Sequence, residues 1–166
     1  MNKYLPDMIN LSIFDIDYEK LYKENIRFLL FDLDNTITPP DKLLCDEKRI
    51  ELFEKIKKIG LKPIIFSNSP KKRIKTYADI LKIDYVYLAC KPLPFKFIET
   101  IKKYHFEKEQ TAIIGDQLLT DIRGGNRVGI TTILVKPLVD YDSIFTIPNR
   151  IREKKIKEKL GCDFIE

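Results

Sequence analysis

Cysteine is scarce and scattered in this chain. Cys45, Cys90 and Cys162 stand far apart, odd in number and with no Cys-x-x-Cys pair, so neither a disulfide framework nor a zinc site is indicated, and a reducing cytosol is the natural setting. Histidine is rarer still: His105, in Lys102-Lys103-Tyr104-His105-Phe106, lies away from every motif below and reads as a solvated surface residue. No apolar run approaches the roughly 18 residues that a helical bilayer span needs, which argues against an integral membrane protein. The unbroken apolar core of a signal peptide is also missing, since Lys3, Pro6 and Asp7 interrupt the first ten residues, and secretion is not expected. Internal repeats and low-complexity linkers are absent. What remains is one ordinary domain's worth of sequence, 166 residues with 44% hydrophobic and 33% charged side chains, expected to fold as a single unit over 1–166. Lysine and arginine total 30 against 25 acids, a formal charge of +5, which points to an anionic partner.

Short β-rich runs alternate with amphipathic ones, the rhythm of βαβ units around a parallel sheet. Five strands are expected: Arg27 to Leu33, Lys62 to Phe66, Tyr85 to Ala89, Thr111 to Gly115 and Ile130 to Val135. Ile50, Phe53, Ile56 and Ile59 mark a helix over Glu47 to Ile59 that Gly60 closes. Ser69 reads as an N-cap with Pro70 at N1, opening a helix that buries Ile74, Tyr77, Ala78 and Leu81. A third helix starts near Pro94, and a fourth runs from Leu118 into Gly124 and Gly125, where a tight turn through Asn126 and Arg127 is expected. Residues 1–25 read as an irregular arm packed on the domain, with a membrane-surface contact as the alternative. Arg150 to Leu160 reads as a basic helix, within a 150–166 segment that nets +2.

Asp32 and Asp34 end the first strand, where ligand sites of open parallel sheets collect. Asp116 ends the fourth, and Asp121 follows five residues on. Acids converging from two strand ends need a hard cation, and carboxylate, carbonyl and water ligands suit Mg²⁺. Ser67 ends the second strand and Lys91 follows the third. A hydroxyl near backbone N–H groups, joined by an ammonium, is a phosphate-binding set.

Asp32-Leu33-Asp34-Asn35-Thr36 resembles the DxDxT motif of the haloacid dehalogenase-like (HAD) phosphohydrolases, and Ser67, Lys91 and Gly115-Asp116-Gln117-Leu118-Leu119-Thr120-Asp121 stand in the places of motifs two, three and four. A lone D-x-D occurs by chance, but four motifs in order at successive strand ends are specific. The finer pattern (FDLDNT, SNS, KPLPFKF, GDQLLTDIRGGNRVG, TTILVKPL) is similar over nearly the whole chain to the YqeG-type phosphatases of subfamily IIIA, themselves similar to mitochondrial phosphatidylglycerophosphate phosphatases.

The resemblance implies a Rossmann-like three-layer α/β sandwich and a Mg²⁺-dependent phosphomonoester hydrolase. Asp32 would be the nucleophile and form an aspartyl phosphate, and Asp34 the acid and base. Asp32, the backbone carbonyl of Asp34, and Asp116 would hold Mg²⁺. Ser67, Lys91 and the backbone of Asn68 would meet the phosphate, although Asn68 reads equally as a helix-start turn residue. Thr36 would support the motif loop, and Asp121 the site or a metal-bound water. Gln117 stays open between substrate contact and spacer, and Arg127 reads as a structural contact. Neither place where the family inserts a cap has room for one. An uncapped site suits a large substrate, with phosphatidylglycerophosphate at the inner face of the membrane implied, and sugar phosphates, nucleotides and nucleic-acid ends as alternatives. Lys71, Lys72, Arg73 and Lys75 read as a solvated helix face. Outside the enzyme class, a nucleic-acid or ribosome-binding module and a receiver-like phosphoacceptor are the competitors; the intact motif set argues for turnover and against a stable nucleic-acid complex.

Overall fold

A computed structural model of the chain describes residues 3–42, 45–139 and 152–156. Its six strands are β1 (Met8–Asn10), β2 (Phe28–Phe31), β3 (Lys62–Phe66), β4 (Asp84–Val86), β5 (Thr111–Gly115) and β6 (Thr131–Val135). They form one parallel sheet in the order β1-β6-β5-β2-β3-β4. The helices are α1 (Tyr18–Lys23), α2 (Glu47–Ile59), α3 (Lys71–Leu81), α4 (Pro94–Lys103) and α5 (Arg123–Val128), with a π-helical turn over Leu118–Ile122.

β2 lies at the centre, pairing β3 on one side and β5 on the other. All four of its residues are fully buried, as a strand covered on both faces must be. Successive side chains alternate between the faces. Leu29 and Phe31 pack with Phe53 and Ile56 of α2 and Ile74, Tyr77 and Leu81 of α3. Phe28 and Leu30 pack with Phe97 and Ile101 of α4 and Val128 of α5. The result is three layers, helix on sheet on helix. In α2 the Asp46 side chain caps Arg49 N and Gly60 takes the left-handed C-cap with φ 99°. That cap contributes about 1 kcal/mol, whereas burying Phe53 and Ile56 contributes roughly 1.5–3 kcal/mol each. Packing, more than capping, holds the helix.

The expected three-layer α/β class is what the chain adopts, but the sheet is one strand larger. Met8–Asn10 in the N-terminal arm pairs β6, and a three-residue edge strand is too short to show a period. The first strand is shorter than the run that encodes it. The third expected strand ends at Val86 instead of Ala89: Leu88 and Cys90 adopt positive φ, and Ala89 N donates to Ser67 O, bending the chain so that Lys91 turns inward.

Ser69 caps no helix. α3 begins after Pro70 with no side-chain cap, because the Ser69 hydroxyl is engaged elsewhere. Gly124 and Gly125 form no tight turn either and lie within α5. A Cβ on Gly124 would come within 2.8 Å of the Phe97 ring, and one on Gly125 within 2.5 Å of Thr132, so these positions are small for close packing. The left-handed residue is Gly129, φ 82°. Of the expected C-terminal helix, 152–156 is helical; its remainder, and Cys162, lie outside the described residues. Cys45 and Cys90 are free thiols, and His105 is exposed. Among the described residues no helix is long and apolar enough to cross a membrane.

Candidate active site

The strand order β5-β2-β3 sets three carboxyl ends side by side, so Asp116, Asp32 and Ser67 come together from distant parts of the chain. The bent segment after β4 brings Lys91 to the same place. Its ammonium is buried and donates to Asp32 Oδ1 at 2.7 Å and to Asp121 Oδ1 at 2.6 Å. Burial opposes the charge on Lys91, but the Asp121 and Asp32 carboxylates outweigh it and hold the ammonium above its usual pKa.

Asp121 is fully buried and accepts from Gln117 N at 3.2 Å through its other oxygen. The wide π turn aims it back under the end of β5. Gly115 makes this approach possible, since a Cβ there would fall 2.2 Å from Asp121 Cγ. Burial pushes the Asp121 carboxyl up to about 6, against the pull of Lys91. Asp32, Asp116 and Asp121 offer carboxylate oxygens that lie within 4.8 Å of one another, and all three are buried. Among the described residues this cluster sets three carboxylates against one ammonium, and a buried surplus of acid is offset by a cation. A divalent ion fits in charge, and the all-oxygen donor set suits a hard one.

Asp34 faces a different set of partners. Its carboxylate accepts from the Ser69 hydroxyl and from Arg73 Nε at 2.7 Å, with Arg73 Nη2 2.6 Å from the same oxygen. Burial holds its carboxyl above the usual range; Ser69 and Arg73 pull it down and the Asp32 charge pushes it up. The acids two residues apart therefore separate into distinct surroundings, Asp32 in the lysine and carboxylate cluster and Asp34 beside a guanidinium.

Arg73 corrects the reading of its run. Lys71, Lys72 and Lys75 are exposed, but Arg73 turns inward and also donates to Pro39 O and Lys42 O. The only sequence signal is its being the one guanidinium, a planar fork suited to a carboxylate, among lysines. Asn68 has a role that neither reading foresaw: its side chain donates to Lys91 O at 3.1 Å and accepts from Lys91 N at 2.8 Å, clamping the backbone that carries the lysine. Thr36 donates to Asp116 Oδ1 at 3.4 Å, a supporting contact. The Ser67 hydroxyl is buried beside Ser69. Gln117 Oε1 accepts from Thr120, and Arg127 Nη1 donates to Pro92 O at 3.4 Å.

The chain is 40% identical over 157 residues to the probable phosphatase YqeG of Bacillus subtilis (strain 168), covering 95% of this chain and 91% of that protein. It belongs to the YqeG family of HAD-like phosphatases. A family model described as "HAD-hyrolase-like" matches residues 88–137 of this YqeG-family chain, the span from the Lys91 loop through the Asp116 strand end to β6. The family makes it a phosphoric monoester hydrolase. Phosphatidylglycerophosphate phosphatase 1, chloroplastic/mitochondrial, of Arabidopsis thaliana is 27% identical over 161 residues, covering 86% of this chain, which spans only 44% of the plant protein. The 3-deoxy-D-manno-octulosonate 8-phosphate phosphatase of Yersinia pestis shares the fold at a TM-score of 0.55 and 17% identity, covering 80% of this chain and 73% of that one.

Proposed function

We propose that this YqeG-family protein is a Mg²⁺-dependent phosphomonoesterase that works through an aspartyl phosphate on Asp32, with phosphatidylglycerophosphate as its substrate. The observation that carries the chemistry is the buried Lys91 ammonium bridging Asp32 and Asp121. It aims one Asp32 oxygen and leaves the ammonium beside the place a phosphoryl group would occupy, so the charge is preorganised before substrate arrives. Asp32 attacks the phosphorus in line as the bond to the leaving oxygen breaks. Asp34 gives that oxygen a proton, then takes one from the water that attacks the phosphoenzyme and releases phosphate. The raised carboxyl of Asp34 suits a group that must start protonated. Lys91 and Ser67 hold the phosphoryl oxygens, and Asn68 keeps Lys91 in position. Asp32, Asp116 and the Asp34 backbone carbonyl would hold Mg²⁺, which supplies charge neutralisation for the transferring group; Asp121 supports them.

Support for a lipid substrate comes from the plant relative's name and from the loop that carries Lys91. Leu88 and Leu93 there are 54% and 44% exposed, and Phe95 in the first turn of the following α4 is 52% exposed, an apolar rim suited to peripheral docking at the cytoplasmic membrane face. The first test is Asp32→Asn: magnesium-dependent hydrolysis of an aryl phosphate should vanish, and its survival would remove Asp32 as nucleophile. A phosphate-release screen of phosphatidylglycerophosphate in mixed micelles, nucleotides and sugar phosphates decides the substrate. Preference for a sugar phosphate or nucleotide would overturn the lipid assignment.

A further inference from the structure

Beside the reaction site a cleft of about 490 Å³ shares Lys91 and Asn68 as one wall and adds Tyr4, Arg123, Arg152 and Lys155. Its three added cations come from two elements, Arg123 from the start of α5 and the others from the helical segment 152–156. That segment is anchored where it lies: Glu153, buried, accepts from Leu119 N at 2.9 Å, and Ile156 packs on Leu118, Ile122 and Leu134. Glu153 therefore points away to cap the π turn, leaving its neighbours to face the cleft. Among the described residues no carboxylate forms an ion pair with Arg123, Arg152 or Lys155. Among the described residues the buried Arg123 Nε has no hydrogen-bond partner, and its guanidinium lies 5.9 Å from the centroid of the Tyr4 ring.

Cations gathered in one cleft repel each other, and a buried N–H with no acceptor is a free-energy cost that an incoming acceptor would recover. The shared wall makes the direction plain. A phosphoryl group held by Lys91 has this cleft next to it, so the anion that fills the cleft belongs on the same molecule. We propose that the cleft is a subsite for a second anionic group of the substrate, a phosphodiester joined by a short polyol to the phosphomonoester that is cleaved. Two arginines suit it, since a guanidinium can meet two phosphate oxygens at once. The diester belongs to a lipid headgroup, as the exposed Leu93 at the N-cap of α4 and Phe95 in its first turn favour. This rests on the phosphomonoesterase reading and adds the residues that would hold the diester of its substrate.

The test compares kcat/KM for dihexanoyl phosphatidylglycerophosphate, below its micellar concentration, with kcat/KM for glycerol 3-phosphate, which lacks the diester. Arg123→Met and the double variant Arg152→Met/Lys155→Met should each lower that ratio by roughly 10- to 100-fold, the scale of charge-assisted hydrogen bonds. Arg123→Lys should keep part of the preference, which a merely structural arginine would not predict. The double variant lies on exposed positions and keeps the test open should Arg123→Met fold poorly. An unchanged ratio in the folded variants overturns the subsite. A 5′-phosphorylated oligonucleotide also carries a diester one sugar away, and a preference for it over the lipid overturns the lipid source. Calorimetric binding of glycerophosphoglycerol, a diester with no monoester, reads the cleft without turnover. If the wild type hydrolyses neither monoester, the phosphatase reading fails while calorimetry still judges the cleft.

Discussion

Arg73 of α3 closes on Asp34, with Nη2 2.6 Å and Nε 2.7 Å from the same carboxylate oxygen. The same guanidinium donates to Pro39 O and Lys42 O, and Tyr77 OH donates to Lys42 O at 2.6 Å. The loop that follows Asp34 is thereby tied to α3 at the mouth of the site. Arg73 positions the proposed acid and moderates its proton affinity together.

Substituting Arg73 by Met removes one of the influences that pull the Asp34 carboxyl down, while burial and the Asp32 charge remain. For an alkyl phosphate, whose leaving oxygen needs a proton, activity is lost as pH rises through the pKa of the acid. The high-pH limb of kcat/KM should therefore move to higher pH in this variant, and kcat should fall roughly 10-fold. A limb that stays in place would remove Asp34 as the acid.

Lys91→Met leaves Asp32 and Asp121 buried with no ammonium. Removing one partner of a buried ion pair costs about 3–5 kcal/mol, to be read from denaturant unfolding without metal. Turnover should drop by roughly 10²–10³. Added Mg²⁺ should restore part of the stability and little of the rate; full rescue of the rate would show that Lys91 serves only as a counter-charge.

Asp121 makes metal binding pH-dependent. Its carboxyl sits at about 6 against an ordinary 3.8. An acid raised in the folded state stabilises the metal-free protein fully below about pH 4, and that contribution fades as pH rises toward about 6. A divalent cation favours ionised carboxylates and acts in the opposite sense. The rise in Tm on adding Mg²⁺ should be larger at pH 7.5 than at pH 5. Equal rises would detach the ion from this carboxylate group.

Two glycines should respond differently to alanine. At Gly115 the new Cβ would fall 2.2 Å from Asp121 Cγ, so Gly115→Ala should displace Asp121 and cost most of the activity and metal affinity. At Gly125 the Cβ would meet Thr132 and Ile113 side chains at 2.5 and 2.6 Å. Gly125→Ala should cost about 1–3 kcal/mol of stability, the scale of overpacking, with kcat of the folded fraction changed less than twofold. Calorimetry and assays of both variants decide the point.

Motif residues at strand ends were legible because a strand's carboxyl end has one position in a parallel sheet, whichever order the strands take. Asp32, Ser67 and Asp116 needed only that rule. Arg73 and Asn68 were not legible in the same way. A guanidinium that turns inward and an amide that clamps the backbone of Lys91 depend on which side of a turn each faces, and neither a basic run nor a Ser-Asn-Ser triplet encodes that. Ser69 read as a cap for the same reason: local rules give its hydroxyl a helix to satisfy, and the structure gives it Asp34.

By itself, the sequence determined the α/β class, the helix α2 with its bounds, the start of α4, and the four motifs. Those properties rest on local periodicity and on residue types whose chemistry is fixed wherever they lie. Only the tertiary structure decided that β1 adds an edge to the sheet, that Asp34 faces Arg73 while Asp32 faces Lys91, and that Arg123, Arg152 and Lys155 meet in one cleft. Each of these joins residues distant in the chain, and the free energy that selects them comes from burial and charge pairing across elements, which no local pattern records.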